Sequence, residues 1–361
     1  MKNVARKNIL DIKPYLPGKP IEEVKRDLGL RSVIKLASNE NPYGPSQKAL
    51  KAINQAAKTI NRYPDGYCFY LRQELAKQLK VLPSQIIFGN GSDEVIVLAV
   101  RVFAGEGDEV IIARPSFLIY EIATKACGAT VKFIPLKDFR YDLEGMKRAI
   151  TDKTKIIFIG NPDNPAGTYV TKNQVDDFLK SIRPDILVFF DEAYFEYVQK
   201  ADYPDTIKLL KTYKNIIITR TFSKIYGLAG LRVGYGIADQ TVIDLLDRIR
   251  EPFNINSLAQ AAALACLKDR TYYKKIKKLI RTQRSYLYAQ LKKLGLSFVE
   301  SSTNFILVDV KRDGFKVFQG LLKKGIIVRD MGFWGLETFI RVTIGTEAEN
   351  KKFIAALREV L

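Results

Sequence analysis

Lys224 stands in the stretch TFSKIYGLAGLR, just after the apolar run NIIIT (215–219). Thr221 and Ser223 precede it, and Arg232 follows in a glycine-rich segment. A lone lysine is usually a solvated surface charge. A lysine at a strand end, between hydroxyls and close to a second cation, can instead serve as a Schiff-base nucleophile. The neighbouring cation can hold a phosphate. The segment FFDEAY (189–194) ends another apolar run with Asp191. A buried carboxylate is costly without a partner, so Asp191 must cap the next element or meet a cation. A pyridinium nitrogen is one such cation. Tyr194 can add a phenolic hydrogen bond.

Two further segments supply polar groups where strands end. FGNGSDE (88–94) places Gly91, Ser92 and Asp93 before the helical stretch DEVIVLAVRVF. Free N–H groups and the helix dipole there suit a phosphate, and a plain N-cap accounts for the same residues equally well. NPDNPAGT (161–168) follows the run KIIFIG and forms a rigid turn, with Asn161 where a strand-end side chain would enter a cleft.

The elements that must position these groups alternate. Apolar runs at 109–113, 130–134, 155–160, 186–192, 215–219 and 231–236 are separated by helical patterns such as 116–128 and 171–182. That alternation predicts an α/β fold with a mostly parallel central sheet covered by helices. After about residue 255 a long helical region (257–294) is followed by strands and helices of a smaller α+β domain. The expected division is an N-terminal arm at 1–37, a large domain at 38–255 and a small C-terminal domain at 256–361. The arm would pack on one lobe or on a partner subunit.

Composition excludes several classes. The chain has 361 residues and no histidine, which rules out His-based triads, His metal sites and His general bases together. No spaced carboxylate cluster points to a metal. The net charge of +19 fits an anionic substrate, a nucleic acid or simply a lysine-rich solvated surface. The three cysteines are scattered and form no CxxC pair, the pattern expected of reduced thiols in a cytoplasm. No run approaches the length of a membrane span, and the first residues lack a secretory core.

Taken in order, SNENPYGPS (38–46), NRYPDG (61–66), GNGSDE, NPDNPAGT, DEAY, TFSKIYGLAGLRVGY and IRVTIGT (340–346) resemble the motif set of fold-type-I pyridoxal-phosphate aminotransferases. Within these they are most similar to histidinol-phosphate aminotransferases, over about residues 10–360. The resemblance implies pyridoxal 5'-phosphate on Lys224, which would also shuttle a proton. It implies Asp191 at the pyridine nitrogen, and Tyr194 and Asn161 at the ring hydroxyl. Gly91, Ser92, Asp93, Thr221, Ser223 and Arg232 would surround the cofactor phosphate. Tyr63 would reach the phosphate in the neighbouring subunit of a homodimer. Arg341 would grip a substrate carboxylate, with Arg329 and Tyr15 at a distal substrate phosphate. Phe117 stands where relatives often stack a tyrosine on the ring, and Ala166 replaces a frequent threonine; neither change removes the chemistry.

The resemblance leaves the substrate open between histidinol phosphate with 2-oxoglutarate and an aromatic amino acid. Decarboxylation of a phosphorylated amino acid is a further alternative on the same fold. A pyridoxal-binding DNA regulator is disfavoured, because the segment before SNENP is too short for a DNA-binding module and its linker.

Overall fold

The computed structural model describes residues 4–15 and 17–361. The first strands are β1 (Ile34–Lys35), β2 (Ile86–Gly89), β3 (Glu109–Arg114), β4 (Thr130–Pro135) and β5 (Thr154–Gly160). Then come β6 (Leu187–Asp191), β7 (Ile216–Thr221) and β8 (Gly234–Ala238). The C-terminal part carries β9 (Ser297–Phe298), β10 (Phe305–Asp309), β11 (Ile326–Ile327), β12 (Arg329–Asp330) and β13 (Phe339–Thr343).

Seven strands form the main sheet in the order β2-β8-β7-β6-β5-β3-β4. Pairing is parallel from β7 through to β4, and β8 runs antiparallel to both its neighbours. Successive side chains of a strand face opposite sides. Val188 and Phe190 of β6 enter one core, while Leu187 and Phe189 enter the other. Ile157 and Ile159 of β5 divide from Ile156 and Phe158 in the same way. Apolar residues are therefore needed at every position, which is why these strands read as continuous runs rather than alternating ones.

The reversed strand matters for the site. Because β8 runs back, its start lies at the same edge as the end of β7. The loop between them carries Ser223, Lys224 and Arg232 along that edge.

The smaller sheet has the order β12-β13-β10-β9, all antiparallel. β1 from the arm pairs in parallel with β11. The expected long helical region is two helices, Ser257–Leu267 and Arg270–Lys293. The first packs against helices Gln47–Ala56 and Phe69–Leu79, beside the main sheet. Its small residues, Ala259, Ala262 and Ala263, are fully buried there and allow close approach. The second helix buries Ile276, Ile280, Leu287 and Leu291 on one stripe and leaves its lysines outward. Among the described residues, no helix is long and apolar enough to cross a membrane.

Candidate active site

A cleft of about 400 Å³ opens at the carboxyl edge of the main sheet. Ligands of open α/β sheets bind at that edge. Tyr15, Ser92, Asp93, Phe117, Asp191, Tyr194, Thr221, Ser223, Lys224, Arg232, Arg329 and Arg341 all line it. Asn161 does not. Its side chain turns away and closes a bond pair with the backbone of Val170. Pro162 and Asn164 are the residues of that loop which line the cleft, and Asn164 brings the polar side chain. Tyr63 lies elsewhere on the chain, 83% exposed, with its ring stacked on Phe253 at 4.8 Å. Gly91 does not line it either, and stands just before Ser92 at the start of the helix Ser92–Phe103.

Asp191 ends β6 and is only 6% exposed. Its Oδ2 accepts from the Tyr120 hydroxyl at 2.7 Å, and its Oδ1 from the Ala193 N–H at 3.1 Å. Burial pushes its pKa up to about 6, against the pull of these two bonds and of Lys224. Among the described residues no arginine or lysine forms an ion pair with it. The cation of this strand pair, Arg220, is instead bound to the next residue, Glu192, at 2.8 Å. Asp191 is thus a buried acceptor held in place by two donors and suited to a cationic ligand. Lys224 approaches from the neighbouring strand end, with Nζ 3.4 Å from the Ser38 carbonyl and 5.5 Å from the Tyr194 ring centre.

The Arg232 end of the cleft is built by close contact. Gly91 has φ 83°, and a Cβ there would lie 2.3 Å from Nη2 of Arg232. Only glycine lets Arg232 lie over the start of the helix Ser92–Phe103. Arg232 donates to Asp93 at 3.0 Å and to Ser223 at 3.4 Å. Both members of the Arg232–Asp93 pair are about 44% and 43% exposed, so the pair contributes little to stability. Its guanidinium is available to an anion that also meets the helix N–H groups.

Arg341 on β13 is buried. It donates to the Asn164 side chain and, at 3.0 Å, to the Ala37 carbonyl, and it lies over the Phe305 ring. Its Nε has no hydrogen-bond partner in the protein, and burial lowers its pKa. Arg329 on β12 stands opposite Arg341 in the antiparallel register. Like charges opposed across strands repel. Arg329 also lies over the indole of Trp334 at 5.1 Å, and that indole donates to the Ser116 carbonyl at 3.0 Å.

Sequence reasoning missed Tyr120, Asn164 and Asn39. Tyr120 had one signal, a phenol on the buried face of its helix beside Ala123 and Thr124. Asn164 shared its loop with Asn161, and nothing local separates the two asparagines.

The buried carboxyls make a prediction. Asp163 and Glu196 are both pushed up to about 7, chiefly by burial. A carboxyl raised on folding stabilises fully below its ordinary value near 4 and loses that contribution as pH rises through its folded value. With no histidine in the chain, these groups and Asp191 dominate between pH 5 and 8. The cofactor-free protein should melt progressively lower from pH 5 to pH 8, by at most about 1.4 kcal/mol per pH unit per group. Asp163→Asn should flatten that slope in a calorimetric series. An unchanged slope would remove Asp163 from it.

The fold and this edge-on cleft define a class of protein. A family model described as aminotransferase class I and II matches residues 31–357, and the chain belongs to that family of pyridoxal-phosphate enzymes. Curated relatives narrow the likeness. A histidinol-phosphate aminotransferase of Moorella thermoacetica is 49% identical over 99% of this chain and 93% of its own length. One from Caldicellulosiruptor saccharolyticus is 49% identical, over 99% of each chain. Among solved structures, the histidinol-phosphate aminotransferase of Sinorhizobium meliloti in complex with pyridoxal-5'-phosphate superposes with a TM-score of 0.91. It is 29% identical and covers 99% of this chain, with 97% of its own length matched.

The cofactor of the family fits the residues present. Asp191 is a buried carboxylate with no ion-pair partner among the described residues, Arg232 lies against Gly91, and Lys224 lines the same cleft.

Proposed function

We propose that the protein moves an amino group between L-histidinol phosphate and 2-oxoglutarate. In the biosynthetic direction glutamate gives its amino group to imidazole acetol phosphate, leaving 2-oxoglutarate and L-histidinol phosphate on the way to histidine. The observation that carries this reading is the register pair of Arg329 and Arg341 inside one cleft. Two opposed guanidiniums suit a site that must take a carboxylate from one substrate and a phosphate from the other. The names of the relatives agree with it.

The roles follow from position. Lys224 Nζ is the attachment point for pyridoxal phosphate and carries the proton to and from the substrate carbon. Asp191 Oδ atoms hold the ring nitrogen in its protonated form. Tyr194, with Asn164 rather than Asn161, would hold the ring hydroxyl, since both line the cleft. Ser92, Thr221, Ser223 and Arg232 receive the cofactor phosphate, and Asp93 joins them through its N–H, since a carboxylate cannot. Phe117 covers the ring. When bound, the cofactor supplies an aldehyde for the amino group and an electron-accepting ring. The chain would then divide into a cofactor lobe at 38–255 and a smaller lobe at 256–361, except that helix Ser257–Leu267 packs on helices of the cofactor lobe, with the arm at 1–37 reaching the cleft through Tyr15.

Arg329→Ala tests the substrate. It should lower kcat/KM for histidinol phosphate about 10- to 150-fold, the loss of one charge-assisted contact. Phenylalanine lacks the phosphate and should be little affected. Equal losses would take Arg329 out of the phosphate site. Faster turnover of phenylalanine by the unmodified enzyme would favour the aromatic alternative.

The working unit is a homodimer on the same reading. Ile60, Tyr63, Tyr67, Phe69, Tyr70 and Phe253 leave large apolar groups exposed. Clustered exposed rings of this kind mark an interface. Tyr63 would complete the partner's phosphate site. Mixing Lys224→Ala with Tyr63→Phe subunits should restore part of the activity, because one site of each mixed dimer is intact. A fully active monomer in sedimentation would end this reading. The three thiols are unpaired, and burial raises the pKa of each, which suits a reducing cytoplasm.

A further inference from the structure

Asn39, in the segment SNENP, takes a left-handed backbone with φ 56°. Asparagine tolerates that region better than most residues. Four hydrogen bonds fix it. Its N–H donates to the Thr343 hydroxyl at 2.9 Å, and that hydroxyl donates to Asn39 Oδ1 at 3.2 Å. Its carbonyl accepts from the Asn304 side chain at 2.9 Å. Its Nδ2 donates to the Tyr194 hydroxyl oxygen at 2.9 Å. All four residues are buried.

The directions matter more than the distances. Thr343 Oγ1 already accepts the Asn39 N–H, so its own proton goes to Asn39 Oδ1. That bond sets the amide with Nδ2 toward Tyr194. The phenol oxygen is then an acceptor on its protein side, and its proton is left for the cleft that Tyr194 lines.

We infer that Asn39 is a positioning residue for Tyr194, making the phenol a donor into the cleft, and that Thr343 fixes Asn39. This rests on the assignment of the cleft to pyridoxal phosphate. Thr343 lies two residues from Arg341 on β13, so the two side chains share a face of the strand. Phe305 on β10 is opposite Thr343 and packs edge-on against the Tyr194 ring at 5.2 Å. The strand that carries the anion-binding arginine therefore also anchors the phenol. The charged and titratable groups around Tyr194 are Lys224 from the β7–β8 loop, Arg341 from β13 and Tyr197 from its own turn.

Asn39→Gly is the test variant, because glycine keeps the positive φ and both backbone bonds while losing the amide. Three quantities are read: melting of the cofactor-free protein, the dissociation constant of pyridoxal phosphate by equilibrium dialysis, and the pH midpoint of the visible band of the loaded enzyme. A donated O–H stabilises an anionic acceptor, so weakening it raises the pH at which that acceptor loses its proton. The midpoint should rise by roughly half a unit to one unit, the scale of one net hydrogen bond, and the dissociation constant by about 2- to 10-fold. Thr343→Val should follow Asn39→Gly, and Thr343→Ser, which keeps the hydroxyl, should behave as the unmodified enzyme. An unchanged midpoint in Asn39→Gly overturns the inference. A lowered midpoint overturns it too, since it would mean the phenol had been giving its proton to Asn39. If the unmodified protein develops no visible band with pyridoxal phosphate, the assignment of the cleft fails and the inference falls with it.

Discussion

Lys224→Ala protein is expected to turn over at least ~10³-fold more slowly than the unmodified enzyme, because one substitution removes both the covalent attachment point and the proton carrier. The fold should survive, since Lys224 is only partly buried and makes a single long bond to the Ser38 carbonyl. Weak cofactor binding should survive as well, held by the Arg232 end of the cleft. Borohydride reduction of the loaded enzyme followed by peptide mapping gives the decisive reading. The pyridoxyl label belongs on Lys224, and a label on any other lysine would contradict the site. The chain's many other lysines make that a severe test, because most are solvated and offer themselves to non-specific reaction.

Asp191→Asn carries the second large effect. The substitution keeps the shape and the bond from Ala193 but removes the charge that stabilises a protonated ring nitrogen. A charge-assisted hydrogen bond contributes about 1.5–3 kcal/mol, so turnover should fall at least about 10- to 150-fold. Stability should move the other way. Without cofactor, burial pushes the Asp191 carboxyl up to about 6. Its stabilising contribution is therefore lost as pH rises through that value. The cofactor-free Asp191→Asn protein should match or exceed the unmodified one in melting temperature at pH 8, while being far less active when loaded. Near-normal turnover in the variant would remove Asp191 from the ring nitrogen, whatever the melting data showed.

Much of the frame was legible because it is local. β5, β6 and β7 are buried on both faces, so each appears as an unbroken apolar run, and the polar residue that ends each run lies at the ligand edge. Asp191 stands out on that basis, whereas Lys224, three residues past β7, stands out only together with Thr221, Ser223 and Arg232 and the order of the other motifs. β1 could not, because a two-residue strand has no pattern of its own and exists only by pairing with β11, which lies within the apolar run GIIVRD. The break between helices Ser257–Leu267 and Arg270–Lys293 was also missed, since apolar spacing continues across it. The errors of detail have a common cause. Asn161 and Asn164 lie in one turn, and which of them meets the cleft depends on the backbone of Val170. Tyr120 serves Asp191, and Asn39 serves Tyr194, across separations that no short-range pattern records. The cost of burying a charge after VFF was correctly anticipated, but the cation in that layer, Arg220, went to Glu192.

Trp334 is the single tryptophan in the chain. Its indole is pinned at the cleft wall by the Ser116 carbonyl and covered by Arg329. The protein therefore carries one indole fluorophore, excitable at wavelengths that its 18 tyrosines do not absorb, with no second indole to dilute its signal. Its emission should be quenched by energy transfer when a chromophore enters the cleft, and should shift when an anion draws Arg329 off the ring. Occupancy of the two ends of the site can thus be followed optically in the native sequence, without labels and without turnover.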